Sequence, residues 1–258
     1  FRNWCEPRRL NYGEGAPDYH MYTNGIKPYP RADHLYLGFP TRYMDRDKDV
    51  QNFKHLPDYR NRQVMTKLWG RSGTAMTDCT IMFSRDGLNF KRSDEAFLTP
   101  GIQREHNWYY GDCYVGWGLL QTAADRKGAP DEYSLFMGDH YRAEPIEFMR
   151  YAIRLDGFFS WHCDFKPGRV LTKPLVFEGS SLSINFATSA LGYVKITLLE
   201  NGNPIPGFDS GRLFGDCVDR PVEFEGNLAA LAGKPVQMLI EMSDAELYSF
   251  KFNEAMPI

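Results

Sequence analysis

Thr77-Asp78-Cys79-Thr80-Ile81-Met82-Phe83-Ser84-Arg85-Asp86-Gly87-Leu88-Asn89-Phe90-Lys91-Arg92 is the stretch around which the rest of the chain is read. Asp78 opens a run of β-formers, Thr80 to Phe83. That run stops at Ser84-Arg85-Asp86-Gly87, and Asn89 to Arg92 returns, so the stretch predicts a β-hairpin. Gly87 can take a positive φ without a Cβ clash, and Ser84 and Asp86 are short polar side chains suited to bonding the amides of a tight turn.

Outward from this hairpin, the 258 residues suffice for one large or two ordinary domains. With 23 glycines, 16 prolines, 15% aromatic residues and few long helical periods, the composition predicts a turn-rich all-β protein. A net charge of −3 supplies no electrostatic basis for a nucleic-acid or anionic-membrane partner. No apolar run approaches the roughly 20 residues that span a bilayer, and no secretory signal is visible, so no membrane partner is expected. The chain starts Phe1-Arg2-Asn3-Trp4 and reads as processed, truncated or excerpted; the compartment stays open, secretion or a periplasm included. Five widely spaced cysteines form no C-x-x-C pair, which argues against common zinc and redox motifs and favours buried thiols.

Upstream of the hairpin, residues 1–30 are irregular, and His34-Leu35-Tyr36-Leu37-Gly38-Phe39-Pro40 reads as a strand buried on both faces. Residues 45–73 are charge-rich and read as a long loop. Downstream, Asn107 to Asp112 leads into Cys113 to Leu120, a second doubly buried strand in which Trp117 reads as core, followed by strands at Tyr133–Met137 and Phe148–Leu155. The units near 31–92 and 107–156 share one plan, a buried first strand with two outer strands, as propeller blades do. Two blades do not close a ring. A missing N-terminal half or another chain is expected to complete it, and the open strand edges predict association of the isolated chain. From residue 157 short strands and frequent turns, including Asn201-Gly202, predict an antiparallel β-sandwich, with Phe158, Phe159 and Trp161 at the junction. The fold expected is therefore all-β: a partial propeller over 1–156 and a sandwich over 157–258.

The spacing S-x-D-G-x-x-F at 84–90 resembles the hairpin turn in blades of β-propeller glycosidases and sialidases. Arg154-Leu155-Asp156-Gly157-Phe158, Leu171-Thr172-Lys173-Pro174-Leu175, Pro204-Ile205-Pro206-Gly207-Phe208 and Asp244 to Phe250 resemble the C-terminal part of proteins combining a five-bladed propeller with a β-sandwich, as glycosidase families 32 and 43 do. Tyr22-Thr23-Asn24 and Gly38-Phe39-Pro40-Thr41-Arg42 are similar to members of that group. The resemblance implies a carbohydrate partner and hydrolysis of glycosidic bonds in an oligo- or polysaccharide, with part of the active site supplied by residues outside this chain. It covers the second half of such a protein. The family's nucleophile and transition-state-stabilising Asp motifs belong to its first two blades and are not identifiable here, which leaves a noncatalytic carbohydrate-binding or structural fragment as the alternative.

Glycoside hydrolysis needs two carboxylates about 5 Å apart for retention or about 6.5–9.5 Å apart for inversion. Asp33 and Asp112 hold matching places before the two inner strands, Asp78 opens a neighbouring strand, and Glu105 lies on the approach to the second. These four are the candidate catalytic residues. His34, Arg42, Trp108 and Tyr110 are the candidate substrate-binding residues, aromatic faces and planar hydrogen bonders being common in sugar sites. His34, His106 and His140 are conceivable metal ligands beside these acids, but their spacing matches no zinc motif, and no motif supports a structural calcium, so no cofactor is expected.

Overall fold

The computed structural model describes residues 2–46, 50–116, 118–141 and 145–254. β-Structure predominates, and the chain divides into two compact units, residues 1–122 with 133–152 and residues 123–132 with 153–258. The named strands pair antiparallel in four sheets, none of them closed among the described residues. No described helix is long and apolar enough to cross a membrane.

Ten strands precede Asp156: β1 (His20–Met21), β2 (Lys27–Tyr29), β3 (Ala32–Gly38), β4 (Thr41–Asp45), β5 (Ala75–Cys79), β6 (Met82–Ser84), β7 (Phe90–Arg92), β8 (Leu120–Thr122), β9 (Glu132–Asp139) and β10 (Glu147–Arg154). They form sheets ordered β2-β3-β6-β7, β1-β4-β5 and β10-β9-β8. The hairpin is present as β6–β7, with Met82 opposite Arg92 and Ser84 opposite Phe90. Its turn is closed as the residue types dictate. Ser84 Oγ accepts from the Asp86 and Gly87 amides at 3.2 and 3.0 Å, Asp86 Oδ1 accepts from Leu88 and Asn89 at 2.9 and 2.7 Å, and Gly87 sits at φ +71°.

Three sequence expectations are corrected here. The strand expected at 34–40 is β3, whose start is exposed at Asp33 and His34 and which becomes buried only at Leu37 and Gly38. The segment 45–73 holds helices α1 (Val50–Phe53) and α2 (Tyr59–Trp69) where a loop was expected. α2 escapes detection because it lacks an apolar stripe: of its residues only Arg62 and Met65 are buried, while Val64, Leu68 and Trp69 are exposed. The strand expected at 113–120 is reduced to an isolated bridge between Val115 and Met137, with β8 starting at Leu120; Trp117 lies outside the described residues. Left-handed backbone at His106, Trp108 and Cys113 makes the segment before it a succession of turns.

The later strands are β11 (Trp161–Cys163), β12 (Gly168–Leu171), β13 (Ser181–Glu200), β14 (Asn203–Leu213), β15 (Asp216–Val222) and β16 (Gln237–Asn253), all in one sheet. β13 and β16 pair over Ser181–Thr188 and again over Tyr193–Leu199, and change outer partners midway. The first half of β13 pairs β15 and its second half β14; β16 pairs β12 and then β11. The change falls at an irregularity between Thr188 and Tyr193, where Ser189 Oγ accepts from the Leu191 and Gly192 amides. Alternate residues of both halves, Leu182, Ile184 and Phe186, then Val194, Ile196 and Leu198, meet Met238 and Ile240 in one core and are at most 1% exposed. Asn201-Gly202 turns β13 into β14 with both residues at positive φ, as the Asn-Gly pair predicts.

Candidate functional site

β4 and β5 pair with Thr41 opposite Cys79, Arg42 opposite Asp78, Tyr43 opposite Thr77 and Met44 opposite Met76. Strand alternation sends Thr41, Tyr43, Thr77 and Cys79 into the interior, where each is at most 5% exposed, and leaves Arg42, Met44, Met76 and Asp78 on the other face. That face lines a cleft of about 550 Å³, within the usual size of small-molecule sites. Its floor is the Arg42–Asp78 pair. Arg42 Nε donates to Asp78 Oδ1 at 2.8 Å and Nη2 to Oδ2 at 2.6 Å, a two-point fork. Arg42 Nη1 donates to the Asp94 carbonyl at 2.7 Å, and the guanidinium lies 4.9 Å from the centre of the Tyr19 ring. Tyr19, Phe53 and Trp108 supply aromatic walls, and Asn52, His55 and Gln103 supply polar groups. Trp108 is held by its own Nε1, which donates to the Gly101 carbonyl at 2.8 Å.

Of the nominated residues, the cleft gathers Arg42, Asp78 and Trp108. Asp33 and His34 are exposed on β3 and do not line it, and neither does Glu105, which is exposed beside His106. Tyr110 packs edge-on against Tyr22, Tyr43 and Tyr141 and lines a separate pocket of about 230 Å³. Asp112 is 1% exposed and lies under the cleft-lining strand, Thr77 Oγ1 donating to its carbonyl at 2.7 Å. The Tyr109 amide donates to Asp112 Oδ2 at 3.0 Å, and Oδ1 has no hydrogen-bond partner. Burial pushes the Asp112 carboxyl up to about 6, against the opposing pull of the Tyr109 and Trp108 amides and of Arg62 and Arg104.

Arg62 holds this loop from below. Its guanidinium, 2% exposed, donates to the carbonyls of Pro57, Trp108 and Asn107 at 3.0, 2.6 and 2.8 Å and lies 3.9 Å from the Tyr109 ring centre. Arg62, Asn52, Phe53 and His55 carry no local signal in the sequence, because all four belong to a charge-rich segment without an apolar stripe. Tyr19 carries none either, because residues 1–30 show no period.

No protein-family model and no curated protein matches the sequence. Among solved structures, the chain is similar to a glycoside hydrolase family 43 arabinoxylan arabinofuranohydrolase from Bacillus subtilis, determined in complex with cellotetraose. The identity is 9% and the TM-score 0.23, over 95% of this chain and 42% of that one. The chain thus spans less than half the length of that protein.

Proposed function

We propose that this is a carbohydrate-binding, glycoside-hydrolase-like chain whose cleft takes an oligo- or polysaccharide segment. The observation that supports this reading is the Arg42–Asp78 fork in a cleft that Tyr19, Phe53, Trp108, Asn52 and Gln103 also line. A sugar ring offers apolar C–H faces to aromatic rings and hydroxyls to planar hydrogen bonders, and the cleft supplies both kinds of group. The partial propeller over 1–156, the sandwich over 157–258 and the completion of the propeller by further sequence or another chain belong to the same proposal. Hydrolysis is the second reading. Asp78, the one carboxylate among the described lining residues, favours keeping this reading, with the second acid supplied from elsewhere.

Calorimetric titration with a panel of neutral oligosaccharides tests the binding reading. Saturable binding that falls at least about tenfold in Arg42→Met, and measurably in Asn52→Ala and Gln103→Ala, is the expected result; the two exposed polar variants serve as controls for a folding defect in the first. Failure of every oligosaccharide to bind the folded chain refutes it. Release of reducing ends that Asp78→Asn abolishes without lowering the melting temperature would move the conclusion to hydrolysis.

A further inference from the structure

Strand pairing fixes the Arg42–Asp78 floor of the cleft, but two other stretches that line it have no such frame. Asn52, Phe53, His55 and Leu56 come from α1 and the turn after it, and Thr99, Pro100, Gln103 and Trp108 come from chain outside every named strand. Neither stretch belongs to a sheet, so side chains must supply bonds that a ladder supplies elsewhere. Within the second stretch Asn107 does so. It is fully buried, its Nδ2 donates to the carbonyls of Pro100 and Ile102, both at 2.8 Å, and its Oδ1 accepts from the Arg104 amide at 2.9 Å.

Between the two stretches the bonds run through Arg62. Its Nε donates to the carbonyl of Pro57, the residue after Leu56, while Nη1 and Nη2 donate to the carbonyls of Trp108 and Asn107. One rigid, planar fork thus joins the end of the first stretch to the end of the second, a geometry that a lysine ammonium on its flexible stem does not reproduce. Asp58 crosses at the same place: its Oδ2 accepts from the His106 amide at 2.6 Å, and its carbonyl from the Tyr109 hydroxyl at 3.4 Å. Two features mark this crossing as costly to build. The Arg62 guanidinium is 2% exposed and bonded to neutral carbonyls; burial pulls its proton affinity down, against the opposing effect of Tyr109, Asp112 and Asp58. Asp58, His106 and Trp108 are all in left-handed backbone, at φ 56°, 63° and 61°, which non-glycine residues keep only where the surroundings over-determine it.

We infer that Arg62 is a positioning residue of the cleft, setting where Trp108 stands relative to Asn52 and Phe53 and so presenting both stretches to a ligand in one arrangement. It acts from beneath, since it does not itself line the cleft. A preformed arrangement spares a ligand the cost of ordering the site, so loss of the fork lowers affinity in a chain that is still folded. The affinity arm of this inference rests on the carbohydrate reading; the placement of Trp108 is measured without a ligand.

The test uses the full chain with 5-fluorotryptophan in place of tryptophan, the Trp108 fluorine resonance being assigned from Trp108→Phe. Arg62→Lys, which keeps the charge, is compared with wild type and with Gly192→Ala, a variant in the second unit, at a temperature where melting curves show each fully folded. In Arg62→Lys the Trp108 resonance should shift or broaden while that of Trp161 stays in place. Its affinity for the tightest-binding member of the neutral oligosaccharide panel should fall about tenfold or more, and Gly192→Ala should change neither reading. If Arg62→Lys does not fold, Arg62→Gln, which can still donate to a carbonyl, takes its place. A Trp108 resonance left unchanged, or an affinity that falls as far in Gly192→Ala, overturns the inference. If no oligosaccharide binds the wild-type chain, the carbohydrate reading fails, and the Trp108 resonance alone decides whether Arg62 positions that residue.

Discussion

Replacing Asp112 by Asn should change how the stability of this protein depends on pH. The Asp112 carboxyl, 1% exposed with one oxygen unpartnered, is raised from 3.8 to about 6 chiefly by burial. Its folded value lies above its unfolded one, so between these values the native state binds more protons than the unfolded state. Stability therefore falls as pH rises through about 4 to 6 and levels off above. A difference of about 2 units at about 1.4 kcal/mol per unit makes the ionised group cost about 3 kcal/mol at neutral pH relative to pH 3. Asn cannot ionise and keeps an oxygen for the Tyr109 amide, but its NH₂ group inherits the unpartnered position, a penalty of about 1–3 kcal/mol at every pH. The informative quantity is thus the difference between variant and wild type at two pH values. Urea denaturation at pH 4 and pH 7.5 should show the variant gaining about 2–3 kcal/mol on the wild type between the two. Contributions of other groups cancel in that comparison. A variant whose deficit or gain is the same at both pH values refutes the assignment of a raised proton affinity to Asp112.

Arg62→Met leaves three loop carbonyls without their donor and should cost about 3–5 kcal/mol, read as a lowered melting temperature. Gly192→Ala places a Cβ against the backbone oxygens of Asp244 and Ser243 and should cost about 1–3 kcal/mol in the same assay. Thiol titration of the native protein should find Cys5 reacting fast, while Cys79 and Cys113, both fully buried with thiols pushed up by burial, Cys79 to about 12, react only on unfolding.

What the sequence discloses follows from how local its signals are. The β6–β7 turn is legible because Ser84, Asp86 and Gly87 bond within their own few residues, and Asn201-Gly202 is legible because both residue types favour the positive φ that the turn takes. α2 is illegible because it meets the interior through the head of an arginine, whose acceptors at 107 and 108 lie some forty residues away. The expected strand at 113–120 fails because apolar content alone does not distinguish a strand from a buried turn, and left-handed backbone at Trp108 and Cys113 is not written in residue type. In the candidate site, Arg42 and Asp78 each stand out in the sequence for a separate reason. That they face one another depends on the register of β4 against β5, which neither strand encodes alone.

The two long strands of the second unit bear on how it comes apart. Since β13 and β16 pair with each other in both halves of the sheet, on either side of the irregularity at 189–192, neither half can lose its central pair without loosening the other. Hydrogen exchange there should proceed through a single global opening, with amides near Ile184 and Ile196 sharing one free energy of exposure, whereas the outer strands β11 and β12 fray on their own. A force applied along the chain would meet these paired strands as one mechanical clamp, released together.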